Sequence, residues 1–166
     1  MLKFDEQKQL DSVNGALALR GQIESIVDDI CKKGYRNICW LGIGGTYASC
    51  LQAEIHMKER SGINFYVENA AEYLVTGNRK VGEGTVVIIS SVTGSTSEMV
   101  DGVRKAQEDG AVVIGFVDVA DTKLAKMVDH LISFPLNEQL KFFMTADRFM
   151  YNAGEFDEYH KLYSEL

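Results

Sequence analysis

No apolar run in this chain of 166 residues approaches the length of a membrane span, so no transmembrane helix is expected. The first residues, Met1-Leu2-Lys3-Phe4-Asp5-Glu6, lack the apolar core of a signal peptide. Only three cysteines occur, Cys31, Cys39 and Cys50, with neither an even count nor metal-ligand spacing. They read as reduced, partly buried thiols of a cytoplasmic protein. The three histidines, His56, His130 and His160, are scattered, and spacing alone assembles no zinc site or catalytic triad from them. Basic residues are also in deficit: 17 Lys and Arg stand against 24 Asp and Glu, a net charge of −7. That balance argues against non-specific binding to nucleic acid or anionic membranes. It leaves room for a small anionic ligand, because a local nest of N–H groups binds phosphate even in an acidic protein. There is one proline, and no internal repeat or low-complexity segment.

What is present is an ordinary globular balance, 46% hydrophobic and 25% charged, in a length that suits one domain with its own core. Residues 5–33 carry apolar positions at helical spacing, with Gly21 as a possible divider of two helices and Gly34 as a stop. Short apolar strands are expected at 37–41, 63–67, 85–89, 111–117 and 130–134, the last ended by Pro135. Between them lie helical segments to about Arg60, at 68–75, from about Ser95 to Asp109, and at 124–128. A long helix follows Asn137, a good N-cap, and runs through Met150. The stretch 151–166 is aromatic and acidic and reads as a tail or linker. Strands alternating with helices predict an α/β fold: a three-layer αβα sandwich on a doubly wound, five-stranded parallel sheet of order 2-1-3-4-5. The domain proper spans 35–150, with the helical segment 1–34 packed on it.

In that order the first and third strands are neighbours where the winding reverses, and ligands bind outside the carboxyl ends of the strands there. Two motifs converge on this point. After the third strand come Ser90, Ser91, Val92, Thr93, Gly94, Ser95 and Thr96, five hydroxyls in seven positions around one glycine. A strand, tight turn and helix N-terminus so rich in neutral donors suits a phosphate. The plainer alternative is that Ser95 or Thr93 caps the helix, with Glu98 closing a capping box. After the first strand, Gly42-Ile43-Gly44-Gly45-Thr46 forms a second turn, with Thr46 as a further phosphate or sugar-hydroxyl donor. A dinucleotide fingerprint would need glycine where Tyr47 stands, which weakens a nucleotide or flavin reading. Glu138, at the start of the helix after the fifth strand, is a candidate for sugar hydroxyls or simply a helix-start acid. Glu68, Glu72 and Glu98 read as dipole partners, and His56 as a solvated or partly buried side chain. The aromatics Phe142, Phe143, Phe149, Tyr151, Phe156, Tyr159 and Tyr163 are core or an interface with a second copy.

The run Ser91-Val92-Thr93-Gly94-Ser95-Thr96-Ser97-Glu98 resembles the Ser-x-Ser-Gly-x-Thr-x-Glu signature of sugar isomerase (SIS) domains, with Thr93 in place of the second serine. Gly44-Gly45-Thr46-Tyr47-Ala48-Ser49 resembles the Gly-Thr-Ser turn after the first strand in the isomerase domain of glucosamine-6-phosphate synthase, with Gly45 where threonine is usual and Thr46 where serine is usual. Val67-Glu68-Asn69-Ala70-Ala71-Glu72-Tyr73 resembles the segment after the second strand in that family. The likeness covers roughly residues 22–150. It implies a flavodoxin-like domain in which Ser91, Thr93 and Thr96, the backbone about Val92, Gly94 and Ser95, and Gly45 with Thr46 hold a sugar phosphate. The fructosamine 6-phosphate deglycases and related phosphosugar isomerases have the closest overall look. They carry two such domains in tandem, with the catalytic glutamate and histidine in or near the second. The resemblance thus implies the N-terminal half of such an enzyme, binding a hexose or fructosamine 6-phosphate without cofactor, assembled as a homodimer and weak or inactive alone. A non-catalytic sugar-phosphate sensor is the alternative. The catalytic residues stay unassigned.

Overall fold

Two-residue alternation along the strands sorts their side chains between two cores. The computed structural model describes residues 4–166; Met1 to Lys3, part of the segment read as lacking a signal core, lie outside the described residues. The strands are β1 (Asn37–Gly42), β2 (Phe65–Asn69), β3 (Thr85–Ser91), β4 (Val112–Val117) and β5 (His130–Ile132). All pair in parallel, in the order β2-β1-β3-β4-β5. Ile38 and Trp40 of β1, Val86 and Ile88 of β3, and Ile114 and Phe116 of β4 enter one core. Their neighbours Cys39, Leu41, Val87, Ile89, Val113 and Val117 enter the other. Central strands buried on both faces are what a parallel sheet covered by helices requires.

The helices are α1 (Glu6–Ala18), α2 (Arg20–Lys33), α3 (Gly45–Lys58), α4 (Ala70–Thr76), α5 (Ser97–Glu108), α6 (Lys123–Met127), α7 (Glu138–Asn152) and α8 (Tyr159–Glu165). Those numbered 1, 2, 3, 7 and 8 pack on the Trp40 face, and α4, α5 and α6 on the Leu41 face. This is the expected three-layer, doubly wound sandwich. Trp40, fully buried, meets Phe142 of α7 at a ring separation of 4.8 Å, fastening α7 to β1.

Several element limits differ from the sequence expectation. The N-terminal helices divide at Leu19, whose N–H bonds Ala16 O at 3.1 Å, and Gly21 lies inside α2. Residues 61–64 do not pair as strand: Glu155 accepts from Ser61 Oγ at 2.5 Å and from Gly62 N at 2.9 Å, and pairing starts at Phe65. Glu68 therefore sits in β2 rather than in a helix, and Asn69 caps α4 by accepting from Ala71 N at 3.0 Å. β3 continues through Ser90 and Ser91, both paired with β4. β5 is only three residues long.

The aromatic C-terminal stretch is folded into the chain. Tyr159 and Tyr163 are buried in the Trp40-side core, and Tyr163 Oη donates to Asp147 at 2.6 Å. Arg20 and Arg148 lie over the Tyr159 ring at 5.4 and 5.2 Å. Much of the aromatic excess is thus internal core.

Candidate functional site: a cleft at three helix N-termini

The carboxyl ends of the strands open on a cleft of about 500 Å³. Gly45 and Thr46 of α3, Ser91, Val92, Thr93 and Thr96 of the β3–α5 corner, and Glu138 of α7 line it, so the switch-point geometry brings most of the expected site together. Gly94 and Ser95 belong to the same corner but do not line the cleft.

The helices facing the cleft share a property. α1, α4 and α6 are capped by side chains: Asp5 accepts from Lys8 N, Asn69 from Ala71 N and Thr122 from Ala125 N, at 3.0 to 3.3 Å. α3, α5 and α7 have no side-chain cap. (α2 and α8 lack one too, but each starts from a residue already helical, Leu19 or Glu158.) Without a side-chain cap the first N–H groups of these helices are open to a ligand, although Glu98 of α5 and Glu138 of α7 already set a carboxylate in the first turn. Three such termini around one cleft form a site for negative charge. The capping-box alternative is not formed: the N-cap of α5 is Thr96, without a side-chain cap bond, and Glu98 instead accepts from Ser97 Oγ at 2.9 Å. Its own backbone N–H holds the Glu98 carboxyl below the usual range.

The two turns spend their hydroxyls differently. At the first, Thr46 Oγ1 accepts from Ile43 N at 3.1 Å and donates to Ile43 O at 2.9 Å, closing its own loop. Gly42 beneath it is obligatory in size, because an added Cβ would fall 2.7 Å from the Tyr47 backbone. At the second, buried Ser91 Oγ accepts from Gly94 N at 3.0 Å, and Thr93 Oγ1 accepts weakly from Ser95 N at 3.4 Å. Gly94 has φ 62°, and a Cβ there would lie 2.2 Å from Thr122 Oγ1. Among the described residues the Thr96 hydroxyl has no hydrogen-bond partner, while its carbonyl accepts from Met99 N and Val100 N.

The opposite wall brings in residues that the sequence does not mark as part of a site. Leu136 and Asn137, the two non-glycine residues with positive φ (76° and 50°) among the described residues, line it together with Gln139. Asn137 is the N-cap of α7 by position only, since its left-handed backbone is not accompanied by a side-chain cap bond. Lys141 and Asp118 also line the cleft. Lys141 is 1% exposed; its Nζ donates to Phe134 O at 2.7 Å and lies 3.5 Å from Asp118 Oδ1. Burial pushes the Lys141 ammonium down and the Asp118 carboxyl up, and their mutual attraction opposes both shifts. Asp118 had a signal, its position just beyond the end of the fourth strand. Lys141 had only its three-residue spacing from Glu138, which puts both on one helix face.

His56 takes no part. Its Nε2 lies 2.5 Å from Asp147 Oδ1 and its Nδ1 2.6 Å from Arg60, near the other end of α3. No helix among the described residues is long and apolar enough to cross a membrane.

Residues 33–146 match the SIS domain family. Glutamine–fructose-6-phosphate aminotransferase (isomerizing) of Sulfurisphaera tokodaii is 27% identical over 110 residues, which cover 66% of this chain and 18% of that enzyme. The HTH-type transcriptional regulator RpiR of Escherichia coli K12 is 28% identical over 148 residues, covering 82% of this chain and 49% of the regulator. The chain thus spans half or less of the length of these relatives. A proposed phosphosugar isomerase of Bacillus subtilis superposes with a TM-score of 0.80 at 17% identity, over 89% of this chain and 48% of that one. With the family match extending from the end of α2 into α7, and with the sheet order and the hydroxyl-rich turn in place, the chain belongs to the SIS domain family.

Proposed function

We propose that the cleft binds a sugar phosphate, with the phosphate held at the β3–α5 corner and the sugar extending toward Glu138. The observation that carries this reading is the set of three uncapped helix N-termini around one cleft, beside the unpartnered Thr96 hydroxyl. Thr93, Thr96, the Val92 backbone and the Ser97 N–H at the start of α5 receive the phosphate. Ser91, Gly94 and Ser95 shape the turn, through the bonds from Gly94 N to Ser91 Oγ and from Ser95 N to Thr93 Oγ1. Gly45 and Thr46 supply the neighbouring wall and the N–H groups of α3. Titration calorimetry with fructose 6-phosphate and with fructose tests the reading. The phosphate ester binds and the free sugar does not; equal binding of the two would remove the basis of the assignment.

The kind of protein this site serves is an isomerase or fructosamine 6-phosphate deglycase of the cytoplasm, in line with the aminotransferase and isomerase likenesses. In our reading this chain contributes binding, and turnover by it alone is weak, because its histidine nearest in sequence to the first corner, His56, is held by Asp147. The RpiR likeness over 82% of the chain favours a second reading, a sensor that reports sugar-phosphate occupancy to an attached module. Turnover of hexose or fructosamine 6-phosphates by the purified chain separates the two. We further propose a closed two-fold dimer. Its support is the exposure of Val92 (62%) and Leu136 (48%) at the cleft, rather than the C-terminal aromatics, which the chain covers itself. Light scattering showing only monomer at micromolar concentration would oppose it.

A further inference from the structure

We infer that Asp118 and Lys141 form a hydroxyl-recognition pair, which selects polyhydroxy phosphate esters over other phosphate esters. The inference rests on the anion reading of the β3–α5 corner and adds what lies beyond the phosphate.

The pair is incompletely satisfied. An ammonium has three donors. Lys141 Nζ spends one well, on Phe134 O at 2.7 Å, and one poorly, on Asp118 Oδ1 at 3.5 Å. Among the described residues the Asp118 carboxylate has no other hydrogen-bond partner, although a carboxylate can accept about four. Charged partners in a purely structural buried pair close to about 2.7–2.9 Å, because burying charges with unfilled valences is costly. Here a spare donor on a side chain 1% exposed and a spare acceptor stand side by side, and both line the cleft.

That combination matches a hydroxyl group, which donates and accepts at once. It does not match a phosphate, which the Asp118 carboxylate would repel while the Lys141 charge is already balanced. The positions agree. Asp118 N donates to Ser91 O at 3.1 Å, one strand over from the phosphate corner. Lys141 is tied through Phe134 to the opposite wall, where Leu136 and Asn137 turn. A ligand anchored by its phosphate at α5 would lay its hydroxylated carbons across the space between.

The test compares fructose 6-phosphate with ethyl phosphate, an ester of the same charge without hydroxyls, by calorimetric titration of the wild type, Asp118→Ala and Lys141→Met. Any change in the field of the cleft acts on both esters and cancels in the ratio of their affinities. The wild type prefers the sugar ester by about tenfold or more, and each variant brings the ratio to within about threefold of unity, the loss expected for hydrogen bonds to charged groups. If Lys141→Met does not fold, Asp118→Ala, which keeps the bond from Lys141 to Phe134, decides alone. A wild type that binds both esters equally, or an Asp118→Ala protein that keeps the full preference, overturns the inference and leaves the phosphate corner standing. A wild type that binds neither ester overturns the anion reading, and this inference with it.

Discussion

The two turns that face each other across the switch point are built from similar residues and do opposite things with them. At β1–α3 the single hydroxyl, Thr46, both accepts from and donates to Ile43, so the turn satisfies itself. At β3–α5 the internal bonds fall to Ser91 and, weakly, to Thr93, which leaves Thr96 free at the start of an uncapped helix. The first turn spends its polar groups on its own stability, whereas the second holds them in reserve. A reserve of unpaired donors lowers folding stability relative to a capped helix by about 1 kcal/mol, and it is retained at the corner where a ligand can offset the cost.

The largest expected effect comes from destroying the second turn. Gly94→Ala forces a Cβ onto Thr122 at a left-handed position. It should lower stability by about 2–4 kcal/mol and abolish sugar-phosphate binding, as read by chemical denaturation and titration. A variant with wild-type stability and affinity would mean that the turn is not the shape described.

Next come the hydroxyls of Thr93 and Thr96. Thr93→Ala with Thr96→Ala should weaken fructose 6-phosphate binding by about 2–3 kcal/mol, with only a small fall in melting temperature, since Thr93 Oγ1 accepts only weakly from Ser95 N and the Thr96 hydroxyl has no partner among the described residues. A melting temperature that falls while affinity holds would turn the corner back into a plain helix cap.

The smallest effect lies away from both turns and serves as their reference. Arg148 grips Asp28 with two bonds, at 2.7 and 2.6 Å, and holds its carboxyl below the ordinary 3.8. With the folded value depressed, the pair's contribution is complete above about pH 4 and is lost as pH falls through the folded value. Asp28→Asn should therefore flatten the acid limb of stability below about pH 4 and leave ligand affinity at neutral pH unchanged. Because Asp28 is partly exposed the effect is modest. An unaltered acid limb would show that the pair carries no pH-dependent stability.

The contrast between the turns was half legible in the sequence. Apolar β-branched runs such as Val86 to Ile89 announce buried parallel strands, and five hydroxyls after one of them announce an anion corner, because both signals are local. Whether a hydroxyl is spent or spare is not local. Thr46 and Thr96 look alike as residues at helix starts and both line the cleft, and only the path of the loop decides that one folds back onto Ile43 while the other has no partner among the described residues. The far wall was illegible for the same reason. Lys141 carries no local signal of its burial, since Phe134 and Asp118, which close around it, come from the segments after β5 and β4. Leu136 gives no hint of a positive φ, which β-turn glycine or asparagine would have signalled. The C-terminal stretch reads as a tail because Arg20, which lies over the Tyr159 ring, is far away in sequence.

The most direct test of the account is a matched titration and melt of two single variants, Thr46→Ala and Thr96→Ala, with fructose 6-phosphate as the ligand. Thr96→Ala should weaken binding by about 1–2 kcal/mol with little change in melting temperature, the worth of one hydrogen bond to a charged group. Thr46→Ala should lower stability by about 1 kcal/mol and affect binding less. The reverse order, with Thr46 governing affinity and Thr96 governing stability, would contradict it.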